Sequence, residues 1–197
     1  MRLAVATLAV LCGTLAACGG GGAPKQKESP APATPGPAMT TASPPATAAQ
    51  FAVTSPAFAD NTQIPAEYAC TGRNVPPPLR FQDVPAGAES LALVVDDPDA
   101  PGGLYIHWIV VGIPSSTTEI TDGALPEAAR VGSNSAGEAT YLGPCPPAGS
   151  GVHHYRFQLY ALSKPLTLAP TTPASEAAQK IAGAATAVVR TVGLFGR

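Results

Sequence analysis

The sequence predicts a mainly β domain with an amphipathic helix near its C-terminal end, and three observations carry that reading. The chain holds 23 Pro and 20 Gly but only 6% aromatic residues, a composition that suits strands and loops better than a helix bundle. From Phe51 onward, short apolar segments alternate with Pro, Gly and Asn punctuation. Within that stretch, Leu91 to Val95 and Tyr105 to Ile113 are apolar on both strand faces, the pattern of central strands covered on two sides.

The elements follow in order. Phe51 to Phe58 and Ile64 to Tyr68 are weaker strand candidates, and Ser115 to Ile120 reads mostly as connection. Pro126 to Arg130 suits one short helical turn. His153 to Leu162 is a long strand on which His153, Tyr155, Phe157 and Leu159 share one face, and His154, Arg156, Gln158 and Tyr160 the other. Toward the end, Thr172 suits a cap, Pro173 a first helical position and Glu176 the positive helix end. Ala178, Ile181, Ala182, Ala185, Val188, Val189 and Val192 then recur at spacings of three and four, predicting an amphipathic helix that stops at Gly193.

Before Phe51 the chain is not domain-like. Met1-Arg2 and the apolar run Leu3 to Ala17 have the form of a secretory signal peptide, residues 1–17, too short to span a bilayer. Residues 18–50 follow as a tether: of positions 19 to 50, 26 of 32 are Gly, Pro, Ala, Ser or Thr, which predicts a disordered spacer stiffened by seven prolines. Residues 51–197 remain for one folded domain, enough to bury a single core. Arg2, Lys25, Lys27 and Glu28 are the only charged residues before it, so the domain carries 8 Lys and Arg against 12 Asp and Glu. With the whole chain at net charge −2 and pI about 5.9, a nucleic-acid partner is excluded.

Four cysteines divide by position. Cys12 leaves with the leader and Cys18 stands where the leader ends, after Leu15-Ala16-Ala17, a run that resembles the bacterial lipoprotein signal. That resemblance implies a diacylglycerol thioether on Cys18 and a domain held on the extracytoplasmic side of the cell membrane; ordinary secretion with cleavage near Ala17 is the alternative. Cys70 and Cys145 are left in an oxidising compartment, and a disulfide between them is favoured over two buried free thiols.

Two segments concentrate chemistry. One is Asp96-Asp97-Pro98-Asp99-Ala100-Pro101 with His107-Trp108; the other is Gly143-Pro144-Cys145-Pro146-Pro147, Gly149-Ser150-Gly151 and His153-His154-Tyr155. Three carboxylates within four positions repel one another on a turn set by prolines, and a Pro-rich loop running into a strand offers backbone N–H groups to a ligand. Asp97 reads equally as a turn cap, His107 as a hydrogen-bonded core residue, and Tyr141 and Tyr155 as core aromatics with satisfied hydroxyls. His153 shares its face with aromatics, so it points inward and needs a partner, which Asp97 can supply. A carboxylate between the two imidazoles would raise the pKa of both. Trp108 and Tyr160 are assigned to packing.

These segments, with Asn134, Gly137, Tyr141, Cys70-Thr71-Gly72 and Pro77-Pro78-Leu79, resemble the phosphatidylethanolamine-binding protein family in its bacterial Raf-kinase-inhibitor-like branch. The resemblance covers essentially all of 51–197. It implies a β-sandwich of two sheets with peripheral helices, including a C-terminal one, and a small anion pocket. Carried over, the pocket consists of Asp97, His107, Tyr141, Gly143, Pro144, His153 and Tyr155, for phosphate, acetate or a phospholipid headgroup. No cofactor or metal is expected, and no catalytic residue is assigned. The competing reading is a hydrolase, metal-dependent or acid/base, built on Asp97, His107 and His153; H-E-x-x-H, G-x-S-x-G and P-loop motifs are absent from the sequence. Inhibition of a protease or kinase rests on the family likeness alone.

Overall fold

The computed structural model describes residues 50–121 and 123–197. The leader, Cys18 and all but the last residue of the tether therefore lie outside the described residues. Nine strands, one helix and a short 3-10 turn follow one another: β1 (Ala52–Thr54), β2 (Thr62–Gln63), the turn Ala66–Tyr68, β3 (Leu79–Gln82), β4 (Ser90–Asp97), β5 (Tyr105–Pro114), β6 (Glu119–Ile120), β7 (Arg130–Gly132), β8 (Val152–Leu162), α1 (Ala174–Ala184) and β9 (Ala185–Gly196). They build a mainly β sandwich. One sheet has the order β1-β3-β6, the other β2-β9-β8-β4-β5-β7, antiparallel except where β2 runs parallel to β9.

Period-two alternation decides which side chains meet. Leu91, Leu93 and Val95 of β4 and Tyr155, Phe157 and Leu159 of β8 point between the sheets, against Val53, Leu79, Phe81 and Ile120 of the smaller sheet. Ala92, Val94 and Tyr160 point to the opposite face, where Ala174, Ala177 and Ile181 of α1 cover them. The central strands are thus buried on both sides, as their unbroken apolar runs predict. Trp108 and Tyr160 are packing residues, the first between the sheets and the second under α1. On the helix-facing side, buried Asp96 is satisfied by a two-pronged contact from Arg156 (2.6 and 2.9 Å) and by Gln158 (2.8 Å).

Four local expectations are corrected. The predicted helix to Val192 ends at Ala184, and residues 185–196 form β9, paired with β8 along its whole length. Thr186, Val188, Val189, Thr191 and Val192 are β-branched and stiff at χ1, and the backbone groups of β8 need a neighbour; the three-and-four spacing persists in a segment the sheet claims. Thr172 does not cap α1: Pro173 occupies that position, with no side-chain cap bond. Ile64 to Tyr68 holds a 3-10 turn rather than a strand, because Pro65 opens it and the Tyr68 amide closes back onto the Pro65 carbonyl (3.0 Å). Pro126 to Arg130 makes a single hydrogen-bonded turn from Ala129 N–H to Pro126 O (2.9 Å) and passes into β7.

Candidate functional site

At one end of the large sheet a cavity of about 450 Å³ opens between the turn after β4, the start of β5, the 142–147 loop and the start of β8. Asp97, the last residue of β4, faces the inter-sheet side and is 3% exposed. Its Oδ1 accepts the Asp99 amide at 2.8 Å, so it does cap the turn at Pro98. Its Oδ2 lies 2.7 Å from His153 Nδ1. One carboxylate therefore performs both roles the residue type allows.

His107 reaches the cavity through a β-bulge. Val95 pairs with Trp108 and Asp96 with Ile106, which leaves His107 as the extra residue of β5. The bulge breaks strict alternation, so His107 and Trp108, adjacent in sequence, both lie on the inter-sheet side. His107 Nδ1 donates to the Leu142 carbonyl at 2.8 Å, which fixes the tautomer and leaves Nε2 without a protein partner among the described residues. Burial holds its imidazole below the ordinary 6.5, against the opposing pull of the Leu142 carbonyl and the Asp97 charge. Asp97 thus bonds one imidazole rather than bridging two, and the expected elevation of both is corrected for His107.

Tyr155, two residues along β8, puts its ring 5.2 Å from His107 and 6.4 Å from His153, nearly parallel to the latter. Its hydroxyl is buried and is the only such side-chain atom among the described residues that has no hydrogen-bond partner there. Burial first, then the Asp97 carboxylate, hold the phenol above its ordinary 10.0, so it stays protonated and can donate.

Gly143 lines the cavity and has no room for a side chain. A Cβ there would strike the Tyr68 carbonyl, and Asn74 Oδ1 at 2.7 Å, the atom that accepts the Gly143 amide. Two residues expected in the pocket are elsewhere. Tyr141 is a core residue, edge-on to Trp108 at 5.6 Å with its hydroxyl donating to the Tyr68 carbonyl (3.0 Å). Pro144 faces away, its carbonyl accepting the Cys70 amide (3.1 Å). Cys70 and Cys145 are bridged (Sγ–Sγ 2.05 Å), and the bridge itself forms part of the cavity wall.

Sequence reading missed Asn74 and Tyr105, and named Ser150 only as part of the second segment, with no role. Tyr105 lies 4.9 Å from His107 and lines the cavity, and its place two residues before a candidate histidine is a usable signal. Asn74 comes from a remote loop at positive φ and had no local signal. Outside the cavity mouth, His154 holds Asp99 through its amide (2.9 Å) and its Nδ1 (2.7 Å), keeping the Asp99 carboxyl below its ordinary range. Among the described residues no group of three or more His, Cys, Asp or Glu side chains is arranged to hold a metal ion.

A two-sheet sandwich with a small cavity of imidazole, phenol and carboxylate at one sheet end defines a class, and the comparisons place it. The phosphatidylethanolamine-binding protein family matches residues 54–196, and the chain belongs to that family. It is similar to the Mycobacterium tuberculosis protein named "Putative lipoprotein LppC", 49% identical over 98% of this chain and 94% of that one. A UPF0098 protein of Methanothermobacter thermautotrophicus is 40% identical over 72% of this chain and 95% of its own. Among solved structures, Escherichia coli YbcL, described as a new member of the mammalian PEBP family, superposes with a TM-score of 0.70 at 31% identity, covering 75% of this chain and 98% of YbcL.

Proposed function

We propose that the chain is an exported, lipid-anchored binding protein whose cavity holds a small anion: phosphate, a carboxylate such as acetate, or the phosphoryl headgroup of a phospholipid. The observation that carries this is the buried Tyr155 hydroxyl, without a partner among the described residues, at a cavity that also holds His107 Nε2, likewise unpartnered among them. A polar hydrogen left unpaired in the interior costs roughly 1 to 3 kcal/mol, and an anionic oxygen would relieve it. In a domain of net negative charge, the anion is held locally, by Tyr155 and by His107 once protonated. Cys18 supports anchoring, because the relative named as a lipoprotein aligns over nearly the whole chain.

The experiment is native mass spectrometry of the purified protein, followed by titration calorimetry with inorganic phosphate, acetate and phosphorylethanolamine. A co-purifying or titratable anion, lost in Tyr155→Phe, supports the reading. Equal heats from wild type and Tyr155→Phe for all three probes would overturn it.

A further inference from the structure

Ser150 extends the Asp97–His153 pair into a chain of three. Its Oγ lies 3.0 Å from His153 Nε2, while His153 Nδ1 lies 2.7 Å from Asp97 Oδ2. A buried carboxylate on one ring nitrogen fixes the imidazole's orientation and tautomer, and the other nitrogen is then free to take a proton from a hydroxyl. Solvent is graded along the chain as acyl transfer requires. The Asp97 and His153 side chains are each 4% exposed, whereas Ser150 sits on an exposed loop.

The loop leaves the hydroxyl approachable. Gly149 (φ 78°) and Gly151 (φ 93°) flank Ser150, so neither sequence neighbour shields it with a side chain, and both adopt a backbone that other residues rarely take. The serine amide and hydroxyl both turn back to the Pro147 carbonyl, at 3.1 and 2.8 Å, which pins the loop and gives the resting hydroxyl a second acceptor. The Gly151 amide takes part in none of the turn bonds of this loop. An amide directly after a nucleophile is a common oxyanion donor. The unpartnered Tyr155 hydroxyl belongs to the adjoining cavity.

We propose that Ser150, His153 and Asp97 form an acyl-transfer triad that hydrolyses small carboxylic esters bound in the adjoining cavity. Ser150 Oγ bonds to the carbonyl carbon as its proton passes to His153 Nε2, and the carbonyl oxygen becomes an oxyanion for which the Gly151 amide is the donor. Collapse breaks the carbon–oxygen bond to the alcohol, which leaves with the proton from His153. Water then attacks the acyl-serine, giving His153 a proton that returns to Ser150 as the acid departs. Ester and water become acid and alcohol, with no other reactant. Asp97 touches no substrate and is a positioning residue. The activity needs no charged ligand and so stands apart from the anion reading.

The test uses the full chain with a fluorophosphonate probe and p-nitrophenyl acetate. Covalent modification mapped to Ser150 by peptide mass spectrometry is expected, together with a loss of kcat/KM on the order of 10²-fold or more in Ser150→Ala. Asp97→Asn should lower kcat with little change in KM and shift the pH–rate profile, which a purely structural residue would not do. An unmodified Ser150 in wild type, or equal hydrolysis by wild type and Ser150→Ala, would overturn the proposal. The wild-type labelling result decides even if the variant fails to fold. Failure of the anion reading would show separately, as absence of heat with phosphorylethanolamine in wild type.

Discussion

Asp97 Oδ2 and His153 Nδ1 lie 2.7 Å apart across neighbouring strands, and 56 residues of chain separate them. Because β4 and β8 are antiparallel partners in register from Ser90 opposite Leu162 to Asp96 opposite Arg156, the end of one strand is delivered to the start of the other. Both side chains fall on the inter-sheet side, so the contact is a direct product of strand register and pleat.

Asp97→Asn keeps an oxygen for the Asp99 amide but removes the charge beside His153. A buried hydrogen-bonded ion or dipole pair that loses one partner is expected to cost about 1 to 3 kcal/mol. Urea denaturation should show the midpoint falling with an unchanged slope, and an unshifted midpoint would contradict a buried pair.

Reduction of the Cys70–Cys145 bridge, or Cys70→Ser with Cys145→Ser, should destabilise the domain by roughly 2 to 5 kcal/mol, since the bridge closes a long loop of the unfolded chain. Thiol titration of the denatured, unreduced protein should find neither Cys70 nor Cys145 free. The double variant should also weaken anion binding, because the bridge is part of the cavity wall.

His107 sets a pH dependence with a definite sign. Its imidazole is held below 6.5 in the folded protein by burial, so the fold prefers the neutral form. The stability it contributes is fully present above about 6.5, the unfolded value, and is lost as pH falls toward the lower folded value. The unfolding midpoint without ligand should drop between pH 7 and 5, less so in His107→Gln. Phosphate affinity should rise over the same acid range, because only the protonated ring offers Nε2–H to an anion. A proton NMR titration placing the His107 midpoint at or above 6.5 would contradict both.

Gly143→Ala places a methyl group against the Tyr68 carbonyl and Asn74 Oδ1. Backbone on one side leaves little room to yield, so a loss of about 1 to 3 kcal/mol is expected, with weaker anion binding as the loop is displaced. Thermal unfolding of the variant measures it.

Cys18→Ala should move the protein from the detergent-extracted membrane fraction to the soluble fraction, or leave it unprocessed. An unchanged acyl-labelled band in the variant would remove the lipid-anchor reading.

The sheet core was legible because the evidence for it is local. Leu91 to Val95 and Tyr105 to Ile113 are apolar at every position, and only a strand covered on both faces tolerates that. The alternating face of β8 likewise predicted that His153 and Tyr155 point inward. Of the seven residues assigned to the pocket, Asp97, His107, Gly143, His153 and Tyr155 line the cavity. Tyr141 and Pro144 were misplaced because nothing in their immediate neighbourhood says whether a loop turns its residue toward the cavity or toward Tyr68 and Cys70 behind it.

The amino-acid sequence by itself determined the mainly β character, the inward face of β8, the start of α1 near Pro173 and the pairing of Cys70 with Cys145. The first three depend on composition or on the spacing of near neighbours, where strand and helix periods act within a few residues; the cysteine pairing follows from an expected oxidising compartment. The tertiary structure alone decided that Ala185 to Gly196 is a strand, since its helical spacing yields only when β8 offers a full ladder of backbone partners. It also decided that His107 faces the cavity. Alternation within β5 would separate His107 from Trp108, and only the register imposed by β4, one residue out of step at that point, turns both to the same side.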